Sequence, residues 1–169
     1  MLATERLVFR PYTAEDLDFL MSMTGDPEVM RYIGQGNVWT REQTAERLRM
    51  WMNRYEEEQG LGLMVVARKS DGELIGHAGL VPQLVDERKE TEVGYWISRR
   101  HWGQGYASEA ALALRNFGLS HLGKKRLISL IQFDNHSSVK VARKIGMNFE
   151  REIVFNGKSI ALYSLTRQG

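Results

Sequence analysis

Gly103 and Gly105 stand two apart in the segment Arg99-Arg100-His101-Trp102-Gly103-Gln104-Gly105-Tyr106-Ala107. A β-branched and aromatic run ending at Ile97 precedes it, and an alanine-rich helical stretch to Ala113 follows. Two glycines at this spacing let the backbone turn sharply, so that successive N–H groups converge on one point. A helix starting near Ala107 adds unsatisfied N–H groups and the positive end of its dipole, which suits a phosphate or pyrophosphate. Arg99 and Arg100 flank the loop with fixed positive charge. A G-x-G between strand and helix can also do no more than turn a corner, so the loop alone does not decide. Two commoner phosphate motifs fail: there is no G-x-x-x-x-G-K-[ST], and Ser108 stands where a dinucleotide fingerprint needs its third glycine.

Other chemistries find less support. His77, His101, His121 and His136 show no metal-ligand spacing, and neither H-E-x-x-H nor G-x-S-x-G occurs, so no metal site and no serine-hydrolase site is expected. With no cysteine, disulfides, thiolate metal sites and a cysteine nucleophile are excluded. A net charge of +2 is too small to imply a nucleic-acid partner by itself. At 169 residues, 43% apolar and 26% charged, the chain reads as one globular domain spanning 1–169 with a full core. Met1 to Arg10 carries Glu5 and no apolar run, and nothing approaches a membrane span, so the expected compartment is the cytoplasm, away from membranes.

The elements that must position the loop follow from periodicity. Arg6 to Arg10 alternates like a strand stopped by Pro11. Thr13 reads as an N-cap with Asp16 three residues on, before an apolar stripe (Leu17, Phe19, Leu20, Met23) that ends at Gly25. A second helix opens at Thr40 with Gln43 in the capping-box position and carries Leu48, Trp51, Met52 and Tyr55 on one face. It ends in Glu56-Glu57-Glu58, a solvated terminus. Strands are expected over Leu61 to Arg68, Leu74 to Leu84 and Thr91 to Ser98, with Asp86 to Lys89 a polar connection. Beyond the loop helix come a strand at Leu127 to Gln132, a helix at Ser137 to Ile145 closed by Gly146, and two strands, Phe149 to Phe155 and Ser159 to Thr166. Asn156-Gly157 joins the last two as a hairpin turn. The order is β-α-α-β-β-β-α-β-α-β-β, without repeats or linkers.

In that order the residues resemble the GCN5-related N-acetyltransferase (GNAT) superfamily, and more narrowly its RimJ/RimL-type branch of ribosomal-protein alanine acetyltransferases. The resemblance covers nearly the whole chain. It rests on Thr4-Glu5-Arg6-Leu7-Val8-Phe9-Arg10-Pro11 with Glu15-Asp16, on Gly94-Tyr95-Trp96, on Arg100-x-x-Gly103-x-Gly105, and on Asn135-x-x-Ser138 followed by Lys144-Ile145-Gly146-Met147. It implies an α/β (α+β) fold, a mixed, splayed sheet flanked by helices, with acetyl-CoA as co-substrate. Its pantetheine arm would pair with the strand ending at Ile97-Ser98 in the gap of the splay. The pyrophosphate would sit on N–H groups of Trp102, Gly103, Gln104, Gly105, Tyr106 and Ala107, with the Ser108 hydroxyl as a further donor. Asn135 would hydrogen-bond the pantetheine amides, although it could equally cap the following helix.

The implied reaction is direct attack of an amine on the thioester in a ternary complex, which needs a neutral amine, a donor for the oxyanion and an outlet for the thiolate. The oxyanion donor implied is a backbone N–H near Ile97 or Ser98. Glu92, on the same strand, is the implied base, against the plainer reading of a solvent-facing strand residue. Many superfamily members carry a tyrosine acid seven residues after the asparagine, where this chain has Ala142. Ser138 is the branch's replacement and Tyr163 a distant alternative. On the acceptor side, Trp51 belongs to an apolar stripe and is expected in the core, whereas Tyr32 and Trp39, in a Gly-rich connection, are candidates for binding substrate.

The branch favours a protein N-terminal amine as acceptor, a ribosomal protein being one candidate partner, while small amines stay open. Two rival readings remain: an acetyl-CoA sensor without turnover, kept alive by Ala142, and an RNA contact through Lys124-Lys125-Arg126, three cations that could equally be a solvated turn. Monomer and homodimer are not distinguished, although an edge strand in the C-terminal hairpin could support a dimer.

Overall fold

The computed structural model describes residues 2–59 and 61–167. One seven-stranded sheet runs through them in the order β1-β2-β3-β4-β5-β7-β6. Its strands are β1 (Leu7–Pro11), β2 (Gly62–Arg68), β3 (Leu74–Val85), β4 (Arg88–Ile97), β5 (Arg126–Ile131), β6 (Asn148–Phe155) and β7 (Lys158–Thr166). Every neighbouring pair is antiparallel except β4 and β5. The helices are α1 (Leu17–Thr24), α2 (Pro27–Met30), α3 (Arg41–Glu57), α4 (Tyr106–Asn116) and α5 (His136–Lys144).

Local chemistry accounts for most boundaries. Thr40 caps α3 reciprocally: its N–H donates to Gln43 Oε1 (2.8 Å), and the Gln43 N–H returns a bond to Thr40 Oγ1 (3.1 Å). The Asn156-Gly157 turn holds both residues at positive φ (49° and 78°), as the dipeptide predicts. Two expectations need correction. A one-turn helix, α2, follows α1, because Asp26 accepts the Glu28 N–H (3.0 Å) and Pro27 is pre-set for a first helical position. The polar stretch from Asp86 is also no loop: β4 begins at Arg88, and Asp86 and Glu87 alone make the turn, at φ 46° and 66° without glycine.

Pro82 inside β3 has a geometric explanation. The β2 register reaches only Leu80, so β3 has outrun its neighbour where Pro82 stands. There Pro82 faces Thr91 of β4, and the missing N–H is on the unpaired side.

Alternation along the strands loads both faces. Leu7, Phe9, Val66, Ile75, Val93, Ile97, Leu127 and Ile131 pack against Ala110, Leu114 and Val141 of α4 and α5. Val65 on the opposite face meets Tyr12, Leu20 and Met23 of the α1 side and Leu48 of α3, with Trp51 packed into the same cluster. The parallel strands β4 and β5 share a single rung, Glu92 with Ile128. Beyond it β4 runs on to Ile97 and β5 to Ile131 without pairing, and the sheet opens into a cleft.

Candidate active site

The inner edges of β4 and β5 and the N-terminal turn of α5 border this opening, and the loop to α4 leaves from the end of β4. In the loop, Gly103 and Gly105 lie at φ 75° and 81°, a region that penalises any Cβ. Gly105 is also the N-cap of α4, with no side chain closing the helix end. The Glu109 N–H is the first to bond back, onto the Gly105 carbonyl (3.1 Å), so helix geometry leaves the N–H groups of Tyr106, Ala107 and Ser108 without intrahelical acceptors. Trp102 departs from the expected cradle: its N–H closes a 3-10 turn onto the Arg99 carbonyl (3.1 Å), and its indole donates to the Ile97 carbonyl (2.8 Å). The Arg100 guanidinium turns to Glu73 (2.8 Å), so it flanks the loop without pointing a free charge into it.

Arg6 fastens the loop from behind. Its guanidinium donates to Glu109 Oε1 (2.7 Å) and to the Gln104 carbonyl (3.0 Å) and stacks over the Tyr106 ring at 4.4 Å. Thr4 adds a bond to the other Glu109 oxygen. The sequence places Arg6 on a strand and in the opening motif of the family resemblance, without assigning it a contact; its partners lie about a hundred positions away and leave no local signal.

The ladder decides which backbone groups face the cleft. Ser98 donates its N–H to the Ile75 carbonyl (2.8 Å), so contrary to expectation this N–H is not free to meet an oxyanion or the pantetheine. Ladder bonds alternate, and Ile97 opposes Gly76 in the intervening position, so its N–H points away from β3 toward β5.

A cavity of about 110 Å³ lies in the splay. Glu92, Tyr95, Asn135, Ser138 and Ala142 line it, together with Tyr32 and Ile33. Glu92 keeps a narrow opening to this cavity and is otherwise surrounded by protein. Burial pushes its carboxyl up to about 7, against hydrogen bonds from Gln83 Nε2 (2.9 Å) and the Leu130 N–H that favour the charged form. Glu92 is thus a carboxyl poised to exchange protons near neutrality. Asn135 Oδ1 accepts the Ser138 N–H (3.3 Å), the capping geometry, while the residue still borders the cavity. The Ser138 hydroxyl accepts a bond from Tyr95 (3.1 Å), whose phenol burial pushes up to about 12. In the sequence Tyr95 stands out only as part of a strand motif, and Gln83 carries no signal: Gln83 reaches Glu92 diagonally across β3 and β4, which requires the register to be known.

Tyr32 reaches the cleft, and its connection is pinned there by Gln132, whose side-chain amide donates to the carbonyls of Tyr32 (3.1 Å) and Gly34 (3.2 Å). Trp39 does not line this cavity. It packs edge-on against Trp96 (5.6 Å) and close to Trp51 (6.3 Å), in an aromatic wall around His77. Burial takes His77 down to about 3, so it stays neutral, bonded to the Tyr12 hydroxyl at 2.6 Å. Arg126, third of the cations at 124–126, is held between Glu90 (3.0 Å) and Glu150 (2.6 Å), which removes it from a free basic patch. A shallower depression of about 520 Å³ over β6 and β7 contains no part of the loop or cleft. Among the described residues no group of three or more His, Asp or Glu could hold a metal, and no helix is long and apolar enough to cross a membrane.

The profile of the acetyltransferase (GNAT) domain family matches residues 6–148. YkkB of Bacillus subtilis (strain 168) is 36% identical over 163 residues, 96% of this chain and 93% of that protein. The uncharacterized N-acetyltransferase YoaA of the same organism is 31% identical over 152 residues, 90% of this chain and 84% of its own. Among solved structures, an acetyltransferase from Agrobacterium tumefaciens superposes with a TM-score of 0.83 at 26% identity, covering 98% of this chain and 94% of that one. A strand-loop-helix cradle beside a splayed sheet, found within so extensive a match, identifies this chain as an N-acetyltransferase of the GNAT family.

Proposed function

We propose that this enzyme takes acetyl from acetyl-CoA lying through the β4–β5 splay and passes it to a primary amine, with a protein N-terminal α-amine as the favoured acceptor. One observation carries the acceptor reading: Glu92, at about 7, borders the same cavity as Tyr32 and the cap of α5. A base near 7 is matched to an α-amine at ~7.7–8.0, but not to a lysine at ~10.4, which is neutral only about once in a thousand molecules near pH 7.4. In this reading Gly103, Gln104, Gly105, Tyr106, Ala107 and Ser108 receive the pyrophosphate on backbone N–H groups, and Ile97 offers its N–H to the pantetheine or the oxyanion. Asn135 borders the pantetheine, Glu92 accepts the amine proton, and Ser138 faces the departing sulfur. RimL, a ribosomal L7/L12 α-N-protein acetyltransferase solved with coenzyme A, shares the fold (TM-score 0.78, 17% identity), which is compatible with the RimJ/RimL-type assignment. A ribosomal-protein partner follows from that assignment alone.

A small amine is the second reading, favoured by the 25% identity over 156 residues to spermidine N(1)-acetyltransferase of Escherichia coli. The sensor reading is disfavoured, because relatives matched along most of the chain are named N-acetyltransferases. The test is acetylation at pH 7 of three acceptors: a peptide with a free α-amine and no lysine, the same peptide α-blocked with one lysine, and spermidine. Turnover of the first alone is the expected result. Turnover of spermidine alone would transfer the assignment to small amines, and turnover of none would revive the sensor.

A further inference from the structure

The phenol of Tyr95 faces the cleft, and the reaction above gives it no task. Tyr95 and Ser138 come from different elements, β4 and α5, and meet across the part of the splay where β4 and β5 make no ladder bonds. Tyr95 Oη donates to Ser138 Oγ at 3.1 Å, and both residues line the cavity with Ala142. Ser138 and Ala142 are four residues apart, on one face of α5. The helix thus presents a serine and a methyl group to the cleft, and the strand opposite supplies the aromatic hydroxyl.

We infer that Tyr95 acts through Ser138 as a positioning residue for the departing thiolate, directing the serine hydroxyl at the sulfur and strengthening the bond it donates there. The inference rests on the acetyl-CoA reading of the cleft. A hydroxyl that receives a hydrogen bond donates a stronger one, and donation to a developing anion is charge-assisted. During the step the amine nitrogen forms the C–N bond, the C–S bond breaks, and its electron pair leaves on sulfur while Glu92 takes the proton lost from nitrogen. Tyr95 and Ser138 keep their protons throughout, because transfer from a phenol at about 12 to a thiolate near ~8.5 runs against the gradient. The thiolate is protonated later by solvent. The pair is therefore a chain of donors and not a general acid, which is how the enzyme can dispense with a tyrosine at position 142.

Tyr95→Phe, Ser138→Ala and the double variant test this, with kcat measured for acetyl-CoA and for its selenoester analogue, whose selenol is a much better leaving group, and Kd for acetyl-CoA measured by calorimetry. Tyr95→Phe is expected to lower kcat about 10-fold and Ser138→Ala about 30-fold, the double variant being no worse than Ser138→Ala, with Kd within about 2-fold of wild type. The deficits should shrink below about 3-fold with the selenoester. A Tyr95→Phe deficit equal for both donors, or multiplying with that of Ser138→Ala, would reduce the pair to a structural tie between β4 and α5. A wild-type enzyme that fails to bind acetyl-CoA would overturn the donor reading itself, and this inference with it.

Discussion

Replacing Glu92 with glutamine keeps the shape of the side chain and an acceptor oxygen for Gln83, and removes the titration together with one of the two acceptor oxygens. With the carboxyl at about 7, the ionised fraction is about 0.24 at pH 6.5 and about 0.97 at pH 8.5. If Glu92 accepts the amine proton as the C–N bond forms, wild-type kcat/KM follows the product of two fractions, ionised Glu92 and neutral amine. The variant follows the amine alone. The amine cancels in the ratio, which should rise about fourfold between those pH values. General-base catalysis contributes roughly 100-fold at its lower end, appropriate to an α-amine that is already partly neutral. The expected deficits are therefore about 100-fold at pH 8.5 and about 25-fold at pH 6.5, measured by thiol release with saturating acetyl-CoA and limiting peptide. A ratio flat with pH would refute the assignment of Glu92 as a titrating base. A ratio falling with pH would mean that Glu92 enters the transition state protonated, which refutes its action as a base during attack.

The same substitution should stabilise the fold at high pH. A carboxyl raised from 4.5 to about 7 makes the native state hold its proton when the unfolded chain has released it, so its contribution to stability falls as pH rises from about 4.5 to 7. Glu92→Gln should therefore raise Tm by about 3 °C at pH 8, after discounting for the open side of the residue, and leave it unchanged at pH 4; calorimetry at both values decides. Gly103→Glu puts a β-carbon at φ 75° and a negative charge in the cradle. It should abolish the Tm increase that acetyl-CoA and CoA give the wild type, while NADH gives none in either. Arg6→Ala frees the Gln104 carbonyl and leaves Glu109 only the Thr4 hydroxyl and the residue-6 N–H as donors; KM for acetyl-CoA should rise about tenfold with kcat little changed, and an unchanged KM would mean that the loop holds its shape unaided. Phe9→Ala, deep in the core, should cost about 3–5 kcal/mol in denaturant unfolding.

Local signals in the chain carried most of the fold. The capping box at Thr40, the glycine stop after α1, the Asn156-Gly157 turn and the alternation of the strands each act over a few residues, so propensity and periodicity suffice to read them. The Gly103-x-Gly105 loop was legible for the same reason, since left-handed glycines before a helix are a short-range requirement. Misreadings arose where a local rule had an unusual solution, as at Asp86-Glu87, where two acidic residues take the positive φ that asparagine or glycine usually supplies.

The candidate site was legible in its residue types and not in its pairings. That Glu92 is a carboxyl on the strand leading into the Gly103-x-Gly105 loop is written in the sequence. That burial brings it near neutrality is not, because the desolvation that raises it, and the hydrogen bonds from Gln83 and Leu130 that oppose the rise, exist only once β3 and β5 flank β4 in the folded sheet. Whether Ser98 or Ile97 offers a free N–H depends on the ladder register, and one residue of slip would exchange them. The tie from Arg6 to the cradle and the meeting of Tyr95 with Ser138 join residues separated by about one hundred and by 43 positions. Sequence alone thus determined which groups were present and which secondary structure would carry them, because those depend on interactions within a few residues. Only the tertiary structure decided which hydrogen bonds were already taken, which charges were desolvated and which hydroxyls met, because each of these depends on partners that the chain brings together by folding.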